Sequence, residues 1–202
     1  MQLKLAFIDF ETGGLDKKTS PALSVSITID IDGTTVAKYT SLICPYDPSL
    51  VTEKALEVNC LDIEQLMEAK SEKQVFGEMI AFLIQYVDMK DRSDRLFFVA
   101  HSAGFDDGIF RAMVHRNAND TRLRSKIFWG ELLCTRVMAA NYLCMVRHTM
   151  SSFTLGDICL KVFGDKEFNS IVGEGLLHEA ETDVRLCREL FYEVRGGVNG
   201  LS

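Results

Sequence analysis

No stretch of this 202-residue chain approaches the roughly 18 consecutive apolar residues that a bilayer-crossing helix needs, so no membrane partner is expected. Its six cysteines lie far apart with no C-x-x-C pair, and Met1-Gln2-Leu3-Lys4 lacks the charged head and apolar run of a signal peptide. Reduced thiols and a cytoplasmic location are the expectation. Internal repeats are absent, as is any linker between two cores. With 47% of its residues apolar, the chain is long enough for one buried core and short for two. A single domain over residues 1–195 is expected, followed by a flexible tail, 196–202.

An excess of positive charge is also missing. The net charge of −7 speaks at first against a nucleic-acid partner, because phosphate contacts supply most of such affinity. The distribution is uneven, however. Between Arg111 and Arg147, seven Arg and Lys residues stand against two acids, Asp120 and Glu131. That segment reads either as a solvated helix face and loop or as a track for a phosphate backbone.

What is present alternates between strand and helix signals. Leu3 to Ile8 is an apolar run ending at Asp9. Two β-prone runs, Val25 to Ile31 and Thr35 to Ile43, flank Asp32-Gly33, a hairpin signal that predicts an antiparallel pair. Helical stretches are predicted over Glu53 to Ala69 and Glu72 to Met89. In the second, Val75, Met79, Phe82, Leu83 and Tyr86 recur on one face. Leu96 to Ala100 reads as a strand covered on both sides and stops at His101. Further helices are predicted from Asp106 to Asn117, from Thr154 to Phe163 with Gly164 as C-cap, and from Asp183 to Val194. The pattern is that of an α/β or α+β domain with a mixed sheet.

Three acidic islands end or open these runs: Asp9-Phe10-Glu11-Thr12-Gly13-Gly14-Leu15-Asp16, His101-Ser102-Ala103-Gly104-Phe105-Asp106 and His178-Glu179-Ala180-Glu181-Thr182-Asp183. Asp9 and Glu11, two apart on a strand, point to one side of the sheet. They repel each other unless a cation lies between them, and an all-oxygen set suits Mg²⁺ or Mn²⁺ better than zinc. Asp106 and Asp183 each have a simpler reading as first-turn acids favoured by the helix dipole. Together the islands supply four carboxylates and, in His178, an imidazole able to take a proton near neutral pH. His101 reads as a strand-end residue with a structural hydrogen bond, and Phe105 as ordinary core.

In this order and spacing, D-F-E-T-x-G-L-D, H-x-A-x-F-D and H-x-A-x-x-D resemble the three motifs of the DEDDh 3′→5′ exonucleases of the DnaQ-like superfamily. Between the motifs, Ala55 to Asp62, Cys134 to Ala139 and Ser152 to Cys159 also resemble segments of that family, so the likeness runs from about residue 5 to 194. It implies an RNase H-like fold: a mixed central sheet, its first three strands antiparallel, flanked by helices. It implies two divalent cations, Mg²⁺ or Mn²⁺, held by Asp9, Glu11, Asp106 and Asp183, with His178 as general base. Thr12, Gly14, Leu15 and Ser102 would contact substrate, Leu15 as a wedge against the last bases and Gly13-Gly14 by permitting close approach. The implied activity is metal-dependent removal of 5′-mononucleotides from single-stranded or frayed 3′ ends.

DNA is favoured over RNA by the form of the first motif, since the E-M-T-G of oligoribonucleases is absent. The alternatives are an RNA-trimming enzyme resembling RNase T and a non-catalytic module that binds nucleic acid or a polymerase. A homodimer or a DNA polymerase partner would follow the habits of different family members. Ser102, Gly13 and Asn59-Cys60 depart from the commoner Asn, Thr and His-Gly, at positions that bear on substrate contacts rather than on the carboxylates or the base.

Overall fold

The computed structural model describes residues 2–173, 175 and 177–196. Its frame is a five-stranded sheet in the order β3-β2-β1-β4-β5. Strand β1 (Lys4–Thr12) is central, antiparallel to β2 (Ala22–Ile31), which is antiparallel to β3 (Thr34–Leu42). On its other side β1 runs parallel to β4 (Leu96–Ala100), and β4 parallel to β5 (Phe128–Cys134). The predicted hairpin turn is Asp32-Gly33, both with positive φ, which matches the right-handed twist of the paired strands.

Strand β1 runs four residues beyond its apolar run, through Thr12. Its period of two continues through Thr12, so Ala6, Ile8 and Phe10 enter one core while Leu5 and Phe7 enter another. Asp9 and Glu11 continue the Leu5–Phe7 face, opposite Ser26 and Ser24 of β2. The apolar run alone marked only the part of the strand buried by hydrophobic neighbours.

The predicted helix over residues 53 to 69 is two short helices, α1 (Glu53–Val58) and α2 (Ile63–Glu68). Cys60 breaks it with φ +52, and Asp62 restarts it by accepting from the Glu64 N–H. Helix α3 (Glu72–Leu83) opens with a Ser71/Gln74 capping box and gives way at Ile84–Tyr86 to a 3₁₀ turn, short of the predicted Met89. Helix α4 (Ala103–Asn117) begins three residues earlier than expected, which puts Asp106 in its first turn.

Three elements went unpredicted: α5 (Leu123–Ile127), β5 and α6 (Thr135–Tyr142). In β5 the residues alternate weakly, with Gly130 and Glu131 in its middle and only Phe128 buried. Helix α7 (Leu155–Val172) starts at its Thr154 cap, and Gly164 leaves helical geometry at φ +75. The chain then resumes the helix, so Gly164 is a kink rather than an end. Helix α8 (Ala180–Gly196) begins before the predicted Asp183 and runs through Gly196. The remainder of the expected tail, Gly197 to Ser202, lies outside the described residues.

Helices α3 and α4 pack on one face of the sheet, where Val75, Met79, Leu83, Ile109, Phe110 and Met113 meet Ile8, Ile27 and Ile29. Helix α8 covers the other face through Val184, Cys187 and Phe191, which meet Leu5, Phe7 and Val99. The seat of α8 is fixed by Asp30, fully buried, whose Oδ2 accepts from Arg188 Nε and from the Tyr192 hydroxyl, each at 2.8 Å. Strands β1, β4 and β5 point the same way, so α4 and α6 start at the sheet end where Asp9 and Glu11 lie. All six cysteines are free, and no helix of the described residues is long and apolar enough to cross a membrane.

Candidate active site

The two-residue period of β1 aims Asp9 and Glu11 at the face that α8 covers, and Asp183 stands in the first turn of α8. Each of these three offers a carboxylate oxygen, and all three oxygens lie within 4.8 Å of one another. Asp106 approaches from α4 and is buried. It stands outside that group of three, and one of its oxygens, Oδ1, accepts from the Phe10 N–H at 3.2 Å. That bond ties the start of α4 to β1.

Electrostatics shows how unfavourable this gathering is without a counter-charge. Burial, then Asp106, Glu11 and Asp183 in turn, push Asp9 well above the ordinary carboxylate range. Burial followed by Asp183 and Asp106 pushes Glu11 up to about 8. Burial raises Asp106 to about 7, against the pull of two backbone N–H groups, and burial raises Asp183 although nearby His178 opposes it. Among the described residues no Lys or Arg forms an ion pair with any of the four. Four hard oxygen donors held close with no internal cation fit a hard divalent metal.

His178 is exposed on the loop before α8, with φ +66. Its backbone N–H reaches Asp183 Oδ1 at 3.4 Å, and it lines a cavity of about 520 Å³ shared with Glu11, Thr12, Gly14 and Leu15. Leu15 is 93% exposed at the rim. Phe105 packs against the core and also lines this cavity, so it is more than ordinary core. Ser102, the residue before α4, is half-buried, and its side chain makes no capping bond.

The Gly13-Gly14 turn is pressed against the protein itself. A Cβ at Gly13 would meet Pro21 and Val51 at 3.0 and 3.1 Å, and one at Gly14 would meet Ser20 Oγ at 2.9 Å. Asn59, at a position the sequence marked only as a departure, donates to the Thr12 carbonyl at 3.1 Å. Lys54, Ala55 and Val58 join it in the cavity wall. Their i, i+1, i+4 spacing was the available signal, but the segment read as an undivided helix. His101 is a strand-end residue as expected, with Nδ1 3.1 Å from Thr135 Oγ1. Burial and then Arg136 push its imidazole down to about 4, which keeps it neutral.

Of the seven cations in the basic segment, five are held in ion pairs: Arg111 and Arg124 with Asp107, Arg116 with Glu72, Arg122 and Lys126 with Asp120. Those pairs serve packing and turn geometry, in keeping with the plainer reading of that segment.

No family model matches the chain. Solved structures do. A zinc-bound form of E. coli exonuclease I in complex with single-stranded DNA aligns over 98% of this chain and 41% of that one, with TM-score 0.74 and 15% identity. The chain carries an exonuclease fold. Exonuclease I from Methylocaldum szegediense aligns over 96% of this chain and 43% of its own, with TM-score 0.66 and 16% identity. A full-length 3′-exonuclease aligns over 98% and 82%, with TM-score 0.71 and 11% identity. The chain thus spans about two fifths of the length of the exonuclease I chains it matches.

Proposed function

We propose that this chain is a metal-dependent 3′→5′ exonuclease that removes 5′-mononucleotides from DNA, at single-stranded or frayed 3′ ends. The observation that carries the proposal is the meeting of Asp9, Glu11 and Asp183 within 4.8 Å, with no internal cation among the described residues, at the open end of an exonuclease-fold sheet. A module that only bound nucleic acid would gain nothing from gathering buried like charges beside a polyanion.

Asp9, Glu11, Asp106 and Asp183 would hold two divalent cations, Mg²⁺ or Mn²⁺. When bound, such a pair offsets the carboxylate charge and stabilises the attacking and leaving oxygens of an in-line displacement. The chain's own residues do the rest. The cavity of about 520 Å³ receives the terminal nucleotide, with Leu15 against its base and Thr12, Gly14 and Ser102 at its sugar and phosphate. His178 takes a proton from the attacking water as the new O–P bond forms and the bond from phosphorus to the 3′ oxygen of the preceding nucleotide breaks. The shortened strand keeps its 3′ oxygen, which is protonated from solvent. The phosphate leaves on the 5′ side of the released nucleotide.

Product analysis tests this chemistry. Single-stranded DNA and RNA labelled at the 3′ end are incubated with Mg²⁺ or Mn²⁺ and the released label is resolved by chromatography. Release of 5′-mononucleotides, faster from DNA, is the expected result. Release of 3′-mononucleotides or of short oligonucleotides would overturn the mechanism, and faster release from RNA would move the assignment to the RNA-trimming alternative.

A further inference from the structure

The wall of the cavity beside Glu11 and His178 contains a single Lys or Arg among the described residues, Lys54 of α1. Several cations elsewhere are held by internal partners: Lys4 by Asp94, Lys70 by Glu78, Arg188 by Asp30, and five members of the basic segment by Asp107, Glu72 and Asp120. The Lys54 side chain forms no ion pair and no hydrogen bond among the described residues.

The helix that carries it is fastened to the catalytic strand at both ends. At the start of α1, the Thr52 N–H and hydroxyl both donate to the Gly13 carbonyl, at 3.0 and 3.2 Å. At its end, Asn59 Nδ2 donates to the Thr12 carbonyl at 3.1 Å, and Asn59 is buried. The Cα of Lys54 is therefore fixed relative to Glu11 across the cavity, while its ammonium remains unengaged. A cation held this way, in a cleft whose other ionisable members are Glu11 and His178, is complementary to one part of a nucleic-acid strand, its phosphate.

We infer that Lys54 grips a backbone phosphate of the strand seated in this cleft, an assignment that rests on the exonuclease reading of the same site. Lys54 is a positioning residue. It sets how firmly the strand is held and leaves the chemical step to the carboxylates and His178.

The test is the salt dependence of strand binding. Equilibrium binding of a fluorescent single-stranded oligonucleotide is followed by anisotropy in Mn²⁺. The His178→Ala background keeps the carboxylates while slowing turnover. For a single strand, each phosphate contact contributes about 0.7 to the slope of log affinity against log salt. Lys54→Met, which keeps the aliphatic stem, should flatten that slope by about 0.7 and weaken binding about eightfold at roughly 50 mM salt but only about threefold at roughly 200 mM. Lys54→Arg should keep the parent slope. With His178 present, Lys54→Met should raise KM and leave kcat within about twofold.

A parent-like slope in Lys54→Met, or a loss of affinity equal at every salt concentration, would overturn the contact. Strand binding without 3′→5′ shortening by the unsubstituted protein would overturn the exonuclease reading, while the slopes would still decide Lys54. No measurable strand binding would overturn both.

Discussion

Glu11→Gln removes one of the four converging charges while keeping the length and shape of the side chain. Glu11 is pushed from 4.5 to about 8, first by burial and then by Asp183 and Asp106. A carboxyl whose folded value is raised holds its proton more tightly folded than unfolded. Its contribution to stability is fully present below about pH 4.5 and lost as pH rises through about 8. At pH 7 the unfolded chain has ionised Glu11 and the metal-free folded protein has barely done so, a difference of about 3 kcal/mol at ~1.4 kcal/mol per tenfold. Glu11 titrates together with Asp9, Asp106 and Asp183 rather than alone, so the difference is lower, roughly 2 kcal/mol.

In EDTA at pH 7, Glu11→Gln should therefore raise Tm by about 4–8 °C for a chain of this size, and at pH 4 the two proteins should melt together. Adding Mn²⁺ should reverse the order. The unsubstituted protein gains the binding free energy, and the variant, short of one ligand, gains much less. Scanning calorimetry in EDTA and in Mn²⁺ at both pH values measures all four quantities. An unchanged or lower Tm for Glu11→Gln in EDTA at pH 7 would refute the claim that these carboxylates oppose one another in the folded state.

His178→Ala should lower kcat by about 10²–10⁴-fold and abolish the rise of kcat with pH on the acid side, since a base works only once deprotonated. A variant keeping that rise would remove His178 from the role. Leu15→Ala should leave the unfolding free energy in urea within about 0.5 kcal/mol of the parent, because Leu15 is exposed, yet raise KM for DNA ends; a stability loss with unchanged KM would contradict the wedge. Asp30→Ala deprives Arg188 and Tyr192 of α8 of their shared buried acceptor and should cost about 3 kcal/mol in urea unfolding, with cleavage activity retained at low temperature. A loss below about 0.5 kcal/mol would mean that α8 is seated by its apolar contacts alone.

The carboxylates were legible as candidates because each sits near the point where a strong local signal stops or starts. The apolar runs before Asp9 and before His101 mark β1 and β4, and the helical periodicity after Asp183 marks α8. Alternation along β1 was enough to predict that Asp9 and Glu11 share a face. Nothing local announced that this face is the one beneath α8, since that follows from the packing of Val184, Cys187 and Phe191 on Leu5 and Phe7, far apart in the chain.

The least legible elements were those with few apolar residues of their own. Strand β5 carries Gly130 and Glu131 in its middle, and α5 spans only five residues, so neither has a period long enough to detect. The break at Cys60 depends on a left-handed backbone in a residue type that does not signal one. Missing that break hid part of the cavity wall, because Asn59 is the residue that ends α1 and donates to the Thr12 carbonyl. The basic segment stayed open between two readings for a different reason. Its charges cluster in sequence, while their partners Glu72, Asp107 and Asp120 lie before the segment or between its cations.

The central claim, that these carboxylates drive stepwise hydrolysis from a 3′ end, is tested most directly by a time course on 5′-labelled single-stranded DNA and RNA of matched sequence. The unsubstituted protein is run in Mg²⁺ or Mn²⁺ beside an EDTA control and Asp9→Ala. A ladder shortening from the 3′ end, faster on DNA and absent both in EDTA and in the variant, is the predicted result. An intact strand after prolonged incubation with folded, metal-supplied protein, or a ladder that persists in Asp9→Ala, would contradict it.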